Sequence, residues 1–300
     1  MRRILFGLLA AASVALAGCG VFAVHATQQF IDDLTPPRHP THRAQPANLL
    51  QQLLPPVGGP PAAAQPWFLV VGDSVSAGFS VDPARFGHNS SWVVDARQSL
   101  ALSGRSWDVE DFACPGETTS SYATGCPLRF LVPALRGSQQ SAALAAIAAH
   151  PAGLQQIVVE LGANDLANGR RDHRATDTVV ADATTRLDRL LSELQSAAPG
   201  VPLVVANVYN PYPPADRPAA TAVARLNQQI AAVASAHNVQ VADFHAAING
   251  DPGLRCTLVD CRHHDVHPTI AGHQRLAQAV LTAIDAGAGG QLRTGSPALR

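Results

Sequence analysis

The chain has 300 residues, a formal net charge of −1 and 47% hydrophobic residues. This length and hydrophobic content allow one large domain or two small ones, each with a substantial buried core. All fixed cations are arginines, and they form no basic patch along the sequence, which argues against nucleic acid as a partner.

The amino terminus has the pattern of an export signal. Arg2 and Arg3 precede an almost wholly apolar stretch, residues 4–16, which is shorter than the about twenty residues of a membrane-spanning helix. Residues 16–19 read Leu-Ala-Gly-Cys and match the bacterial lipobox. We therefore expect cleavage before Cys19 and lipid attachment to its thiol, which would anchor the exported protein to the outer face of the bacterial cell membrane. The alternative is an ordinary secretory signal with an incidental cysteine.

Composition also predicts the domain organisation. The segment before the first strand is rich in proline, alanine and glutamine, which is typical of an extended tether, and the Gly-rich carboxyl terminus reads as disordered. The predicted divisions are a signal peptide at 1–18, a tether at 19–65, a single domain at 66–286 and a disordered tail at 287–300.

Strand and helix patterns alternate through the predicted domain. Short β-branched or aromatic runs predict strands at 67–71, 107–112, 156–161, 202–207 and 239–243. Helical patterns predict helices at 91–102, 139–149, 176–197, 218–236 and 271–285. This alternation predicts a mostly parallel five-stranded sheet with helices on both faces, which is a three-layer α/β/α domain.

Cysteine usage agrees with export. The chain has five cysteines, and an exported protein seldom keeps an unpaired thiol. With Cys19 carrying lipid, four remain, and proximity in sequence favours bridges between Cys114 and Cys126 and between Cys256 and Cys261, although three pairings are possible.

A zinc site is an alternative for the second pair of cysteines. Residues 262–267 read Arg-His-His-Asp-Val-His and lie close to Cys256 and Cys261. Histidine, cysteine and aspartate are the usual zinc ligands. We prefer the disulfide, because exported cysteines this close together more often form one, and we expect no metal.

Four short segments carry polar residues where chemistry would need them. The first ends a strand, and a serine at the carboxyl end of a parallel strand lies where such sheets bind ligands. They are Gly72-Asp73-Ser74, Gly116 within Cys-Pro-Gly-Glu, Gly162-Ala163-Asn164-Asp165 and His267-Pro268. Taken in this order, they resemble the four conserved blocks of the SGNH (GDSL-type) hydrolase family, over roughly residues 66–286.

The resemblance implies a flavodoxin-like fold and a serine esterase or lipase that needs no cofactor. It assigns Ser74 as nucleophile and His267 as the base that activates it. It assigns the oxyanion hole to the Ser74 and Gly116 backbone N–H groups and the Asn164 side-chain amide. We interpret Asp73 and Asp165 as structural hydrogen-bond acceptors.

The sequence departs from the family in the last block. The family has aspartate three residues before the histidine, whereas here His264 is at that position and Asp265 is two before His267. Either Asp265 reaches the imidazole from a shifted turn, or a main-chain carbonyl such as that of His264 orients it, or the enzyme works as a dyad. We favour Asp265 as the third catalytic residue.

The function predicted from the sequence is hydrolysis of a carboxylic ester through a Ser74 acyl-enzyme. The expected substrate is a lipid, an acylated glycan or a small ester, and the protein is expected to be a monomer. Acyl transfer to an alcohol is an alternative on the same residues. A solute-binding surface lipoprotein is the non-enzymatic alternative, and it would have two comparable lobes.

Overall fold

A computed structural model of the chain describes residues 65–80, 90–132 and 135–294. The predicted signal peptide, the lipidation site at Cys19 and nearly all of the predicted tether lie outside these residues. In the described part, no helix is both long enough and apolar enough to cross a membrane.

Five strands form one fully parallel sheet. They are β1 (Trp67–Gly72), β2 (Asp108–Asp111), β3 (Leu154–Glu160), β4 (Leu203–Ala206) and β5 (Gln240–Ala242). Their order in the sheet is β2-β1-β3-β4-β5. The five predicted strands and the predicted fold class are therefore confirmed. All the carboxyl ends of the strands meet at one edge of the sheet, which we call the carboxyl edge.

Helices connect the strands. They are α1 (Trp92–Leu102), α2 (Ser121–Thr124), α3 (Gln139–Ala149), α4 (Ala163–Arg171), α5 (Thr176–Ala197), α6 (Arg217–Ala236), α7 (Phe244–Asn249), α8 (Arg255–Leu258) and α9 (Ile270–Thr294). The five predicted helices correspond to α1, α3, α5, α6 and α9. The other four have nine residues or fewer, and so short a helix gives too few repeats for a periodic sequence pattern.

Both faces of the sheet are buried, as expected for parallel strands covered by helices. On β1, Trp67, Leu69 and Val71 pack on one face against α3, α5 and α6. Phe68 and Val70, which alternate with them, pack on the other face against α1, α7 and α9. The alternation along one strand thus produces the two apolar layers between which the sheet is held.

The last helix differs from the prediction. The sequence predicts a helix over 271–285 and disorder from 287, whereas α9 continues to Thr294. Glycine in a helix costs about 1 kcal/mol relative to alanine, and this cost suggested disorder. The alanine, glutamine, leucine and arginine residues among these glycines favour helix and outweigh that cost. Residues 295–300 lie outside the described part of the chain.

Candidate active site

Ser74 lies directly after β1 at the carboxyl edge. The buried strand ends at Gly72, and the chain then turns, with the Phe79 N–H donating to the Ser74 carbonyl at 2.9 Å. The Gly72 carbonyl accepts from the Cys114 N–H at 3.0 Å, which holds the segment after β2 beside this turn. The Ser74 side chain is therefore presented at the end of a rigid strand instead of on a free loop.

His267 reaches Ser74 from the segment before α9. Its Nε2 lies 2.8 Å from the Ser74 Oγ, and its Nδ1 lies 2.5 Å from an Asp265 carboxylate oxygen. The Phe79 ring packs edge-on against the imidazole, with ring centroids 5.1 Å apart. The side chains of Asp265 and His267 are almost fully buried. One hydrogen-bonded row thus joins hydroxyl, imidazole and carboxylate.

The backbone before His267 explains how an acid at the unusual spacing reaches the ring. His264 has a left-handed conformation with φ 54°. This conformation turns the chain sharply, and the following Asp265 N–H donates to the Asp260 carbonyl at 3.1 Å. The Asp265 carboxylate also accepts from the His267 backbone N–H at 3.3 Å. Of the three arrangements considered from the sequence, the geometry is that of the shifted turn.

Asn164 lies in the first turn of α4, close to Ser74. Its side-chain amide donates to an Asp73 carboxylate oxygen and to the Glu117 carbonyl, each at 2.9 Å. An amide has only two N–H groups, so both are already used. This double occupation was not predictable from the sequence. An oxyanion-hole role for Asn164 requires that a substrate oxygen replaces one of these two acceptors.

Gly116 has a φ of 78°, a conformation that glycine adopts without strain. Its loop is fastened to neighbouring elements. Gln139, at the start of α3, donates to the Gly72 carbonyl at 2.7 Å and to the Glu117 carboxylate at 2.8 Å. The structure therefore places Gly116 at the carboxyl edge, although it is not among the described residues that line the pocket beside Ser74.

The carboxyl of Asp73 organises the turn that carries the nucleophile. One oxygen accepts from the Val75 N–H at 2.8 Å, and the other accepts from Asn164. Burial raises the pKa of Asp73 to about 6. These contacts agree with the interpretation of Asp73 as a structural acceptor. Asp165 has a similar environment: its carboxylate accepts from the Thr119 N–H at 2.9 Å and the Thr119 hydroxyl at 2.7 Å, and forms an ion pair with Arg186.

The sequence reasoning missed Glu160, the last residue of β3. Its buried carboxyl accepts from the Ser76 hydroxyl at 2.9 Å and from the Asp73 N–H at 3.2 Å. Burial raises the pKa of Glu160 well above its usual value, and the neighbouring charge of Asp73 raises it further. The one available signal was an acid directly after the apolar run 157–159 of this strand. Glu160 supports the nucleophile turn from beneath.

Both predicted disulfides are present, Cys114 with Cys126 and Cys256 with Cys261. The first closes the loop that contains Gly116, and the second lies just before the turn at His264. Because Cys256 and Cys261 are joined to each other, they offer no thiolates to zinc, and both ring nitrogens of His267 already have partners. The alternative zinc site is therefore wrong for these residues.

A pocket of ≈ 380 Å³ opens beside Ser74 and His267. Its walls come from α4, from the starts of α5 and α6 and from the loop between β4 and α6, and they are mostly apolar. The apolar lining includes Ala163, Leu166, Ala167, Val179, Val208, Tyr209, Tyr212, Ala219, Ala222 and Val223. At its rim, Arg170 lies over the Tyr212 ring and forms an ion pair with Asp216 at 2.7 Å. The pocket therefore suits an apolar group attached to the reacting carbonyl or to its alcohol.

The parallel α/β/α fold and the hydroxyl–imidazole–carboxylate row at its carboxyl edge define a serine hydrolase. Residues 70–275 match the profile of the GDSL-like lipase/acylhydrolase family. The chain belongs to this family and is a serine ester hydrolase of the SGNH type. Among curated proteins, no sequence matches.

Solved structures agree on the fold. The chain is similar to TesA, with 20% identity, a TM-score of 0.51, and coverage of 73% of this chain and 98% of that one. It is also similar to Axe2, an acetylxylan esterase from Geobacillus stearothermophilus, with 17% identity, a TM-score of 0.55, and coverage of 74% and 95%. At these identities the similarity extends to the fold alone.

Proposed function

We propose that this protein hydrolyses carboxylic esters outside the cytoplasm through an acyl-enzyme on Ser74. The observation that carries the proposal is the row of hydrogen bonds from the Ser74 hydroxyl through His267 to Asp265. A serine hydroxyl is a weak nucleophile until a base accepts its proton, and this row supplies the base and the acid that orients it.

In the first half of the reaction, the Ser74 Oγ attacks the ester carbonyl while His267 Nε2 accepts the hydroxyl proton. The carbonyl oxygen becomes an oxyanion, and the bond to the alcohol then breaks as His267 returns the proton to the departing alkoxide. In the second half, a water molecule gives a proton to His267 and attacks the acyl-enzyme, and Ser74 is regenerated with release of the carboxylic acid. Throughout the reaction, the Asp265 carboxylate accepts a hydrogen bond from the Nδ1–H of His267 and stabilises the imidazolium.

The oxyanion needs donors that are in place before the reaction. The proposed donors are the backbone N–H groups of Ser74 and Gly116 and the amide of Asn164. Since Asn164 donates to Asp73 and to the Glu117 carbonyl in the free protein, substrate binding has to displace one of these acceptors. The hydrogen bond to the Glu117 carbonyl is the more readily displaced of the two. The other acceptor, Asp73, is charged when it is ionised, and charge-assisted hydrogen bonds are stronger.

Labelling with a fluorophosphonate probe tests the proposal directly. These probes react covalently with an activated serine and leave an unactivated hydroxyl unmodified. We expect stoichiometric labelling that peptide mapping places on Ser74. A solute-binding protein would remain unlabelled, and labelling at another serine would remove Ser74 from the nucleophile role.

The apolar pocket predicts a preference among ester substrates. Ala222 lines the pocket from α6, an element that contributes nothing to the Ser74–His267–Asp265 row. The change Ala222→Phe is expected to lower kcat/KM for octanoyl esters at least about tenfold, because the added ring fills space that an apolar chain would occupy. Acetyl esters should lose little activity.

A matched control is available on the same helix. Ala224 is exposed and does not line the pocket, so Ala224→Phe should leave the ratio of the two rates unchanged. An equal loss on acetyl and octanoyl esters in Ala222→Phe, measured as p-nitrophenol release, would contradict the assignment of the pocket to an apolar substrate group.

We also propose that the mature protein is attached to the membrane through lipid on Cys19. The lipobox at residues 16–19 and the odd cysteine outside the two disulfides support this. The change Cys19→Ala should release the protein from the membrane fraction or block its processing, because the anchor has no other attachment point. Immunoblots of membrane and soluble fractions provide the measurement. An unchanged, membrane-bound mature form would count against lipidation.

A further inference from the structure

Large apolar side chains on the described surface are concentrated at the carboxyl edge. In the part of the chain that the structure describes, four large apolar residues are exposed: Leu102 (91%), Phe130 (70%), Val266 (41%) and Ile270 (52%). Val266 precedes His267, and Ile270 begins α9, so both lie at the edge that carries the nucleophile. Leu102 ends α1 and lies at the opposite edge, where the strands begin.

Phe130 belongs to the same edge as the active site. Its segment, 127–132, follows Cys126, which the disulfide joins to Cys114 two residues before Gly116. Leu128 and Pro127 lie so near Gly116 that a side-chain carbon added there would be 3.8 Å from each. Phe130, Val266 and Ile270 are called the edge patch below.

The base of the Phe130 segment is rigid. Cys114 and Cys126 are buried and form a small apolar cluster with Leu135. A covalent link and a packed cluster therefore hold the segment, while Phe130 itself projects into solvent. Burial of a phenyl ring is favourable, so a ring held in solvent on a fixed support would gain stability from a surface that covers it.

Charge near the edge patch identifies the kind of surface that would cover it. The sequence between Glu117 and Glu160 contains no acidic residue, and its arginines, Arg129 and Arg136, are exposed. Arg262, also exposed, follows the second disulfide. On the same side, the carboxyls of Asp260 and Asp265 are engaged by His263 and His267. The segments that carry the patch thus combine exposed apolar side chains with exposed arginines.

We propose that the edge patch docks the carboxyl edge onto an anionic lipid surface. Phenylalanine side chains of surface-bound segments are buried at the boundary between lipid headgroups and acyl chains, and arginines near an anionic leaflet are attracted to its headgroups. Phe130 inserts while Arg129 and Arg136 contact headgroups, and this orientation turns the mouth of the pocket toward lipid. The docking is independent of the hydrolysis proposed for Ser74.

Tryptophan placed at position 130 tests the docking in the full chain. Phe130→Trp and the control Leu102→Trp are each prepared with Ser74→Ala, so that no lipid is hydrolysed, and are mixed with vesicles containing phosphatidylglycerol and brominated lipid. Bromine quenches tryptophan only at close range. We expect the emission added at position 130 to be quenched at least about twofold more than that added at 102, with less quenching in pure phosphatidylcholine. Equal quenching at both positions would overturn the proposal.

A second measurement separates lipid from protein as the occupant. A dimer that Phe130→Ser dissociates, together with unquenched tryptophan at 130, would assign the patch to a second copy of the chain and refute lipid docking. With the catalytic serine restored, Phe130→Ser is expected to lower hydrolysis of a vesicle-embedded ester about fivefold or more and to spare a water-soluble ester, while Leu102→Ser changes neither. A similar loss on both esters would contradict the docking role. If the enzyme with Ser74 hydrolysed neither ester while tryptophan at position 130 was still quenched, the proposed hydrolase function would be refuted and the docking proposal would stand.

Discussion

Replacing Ser74 with alanine is expected to lower kcat for ester hydrolysis by about 10⁴–10⁶-fold, because the acyl-enzyme can no longer form. His267→Ala should cost a similar factor, since the hydroxyl then has no base at its 2.8 Å hydrogen bond. The double variant should be no worse than either single one, because residues that act as a unit lose their contribution together. Initial rates with a soluble p-nitrophenyl ester provide the measurement.

His264 supplies the matched control for the histidine variant. It is an exposed neighbour in a left-handed conformation that asparagine tolerates, so His264→Asn should retain the turn and most of the activity. If His267→Ala kept more than about a tenth of the wild-type kcat, the assignment of His267 as the base would be refuted.

Asp265→Asn is expected to lower kcat by about 10³–10⁴-fold with little change in KM. The carboxylate accepts a hydrogen bond from Nδ1–H, with an N···O distance of 2.5 Å, and thereby leaves Nε2 free to accept the proton of Ser74. An asparagine amide in the same place can donate to Nδ1, which favours the wrong tautomer. Circular dichroism should confirm that the variant is folded, because the Asp265 carboxylate also accepts from the His267 backbone N–H.

The main-chain alternative predicts a different size of effect. If a carbonyl oriented the imidazole, Asp265→Asn would cost about tenfold or less, since the acceptor would survive. Comparing Asp265→Asn with His267→Ala in one assay distinguishes the two mechanisms. Near-wild-type turnover in the first variant would leave a Ser74–His267 dyad.

Strands and long helices were predictable because their signals are local. A buried parallel strand is a short run of β-branched and aromatic residues, and β1, β3 and β4 each have one. Helix α5 repeats its apolar residues over 22 residues, enough for a clear period. Short helices and the continuation of α9 past its glycines depend on packing and small propensity differences, which a local pattern does not resolve.

The sequence identified the four segments of the candidate site but did not determine their internal geometry. The position of Asp265 depends on the backbone angle of His264, which no residue type dictates. Glu160 and Gln139 are single polar residues whose partners lie 22 to 87 positions away, so nothing adjacent in sequence indicates their contacts. Both N–H groups of Asn164 are used because the segments of Asp73, Glu117 and Asn164 meet in the fold, and no single one of these segments indicates that contact.

The end of the sheet at which β1 begins affects how an enzyme anchored through Cys19 would face the membrane. Trp67 begins the strand at one pole of the sheet and Ser74 follows its other end, so lipid on Cys19 would hold the domain from the pole opposite its nucleophile. A compact domain of about 220 residues is roughly 45 Å across, so half of its circumference is about 70 Å. A segment with the length of residues 19–65 spans about 140 Å in a polyproline II conformation, at about 3.1 Å per residue. With the proposed lipid on Cys19, a tether of this length would let the enzyme turn over completely, whereas a tether shorter than about 23 residues would leave the nucleophile facing only away from the membrane.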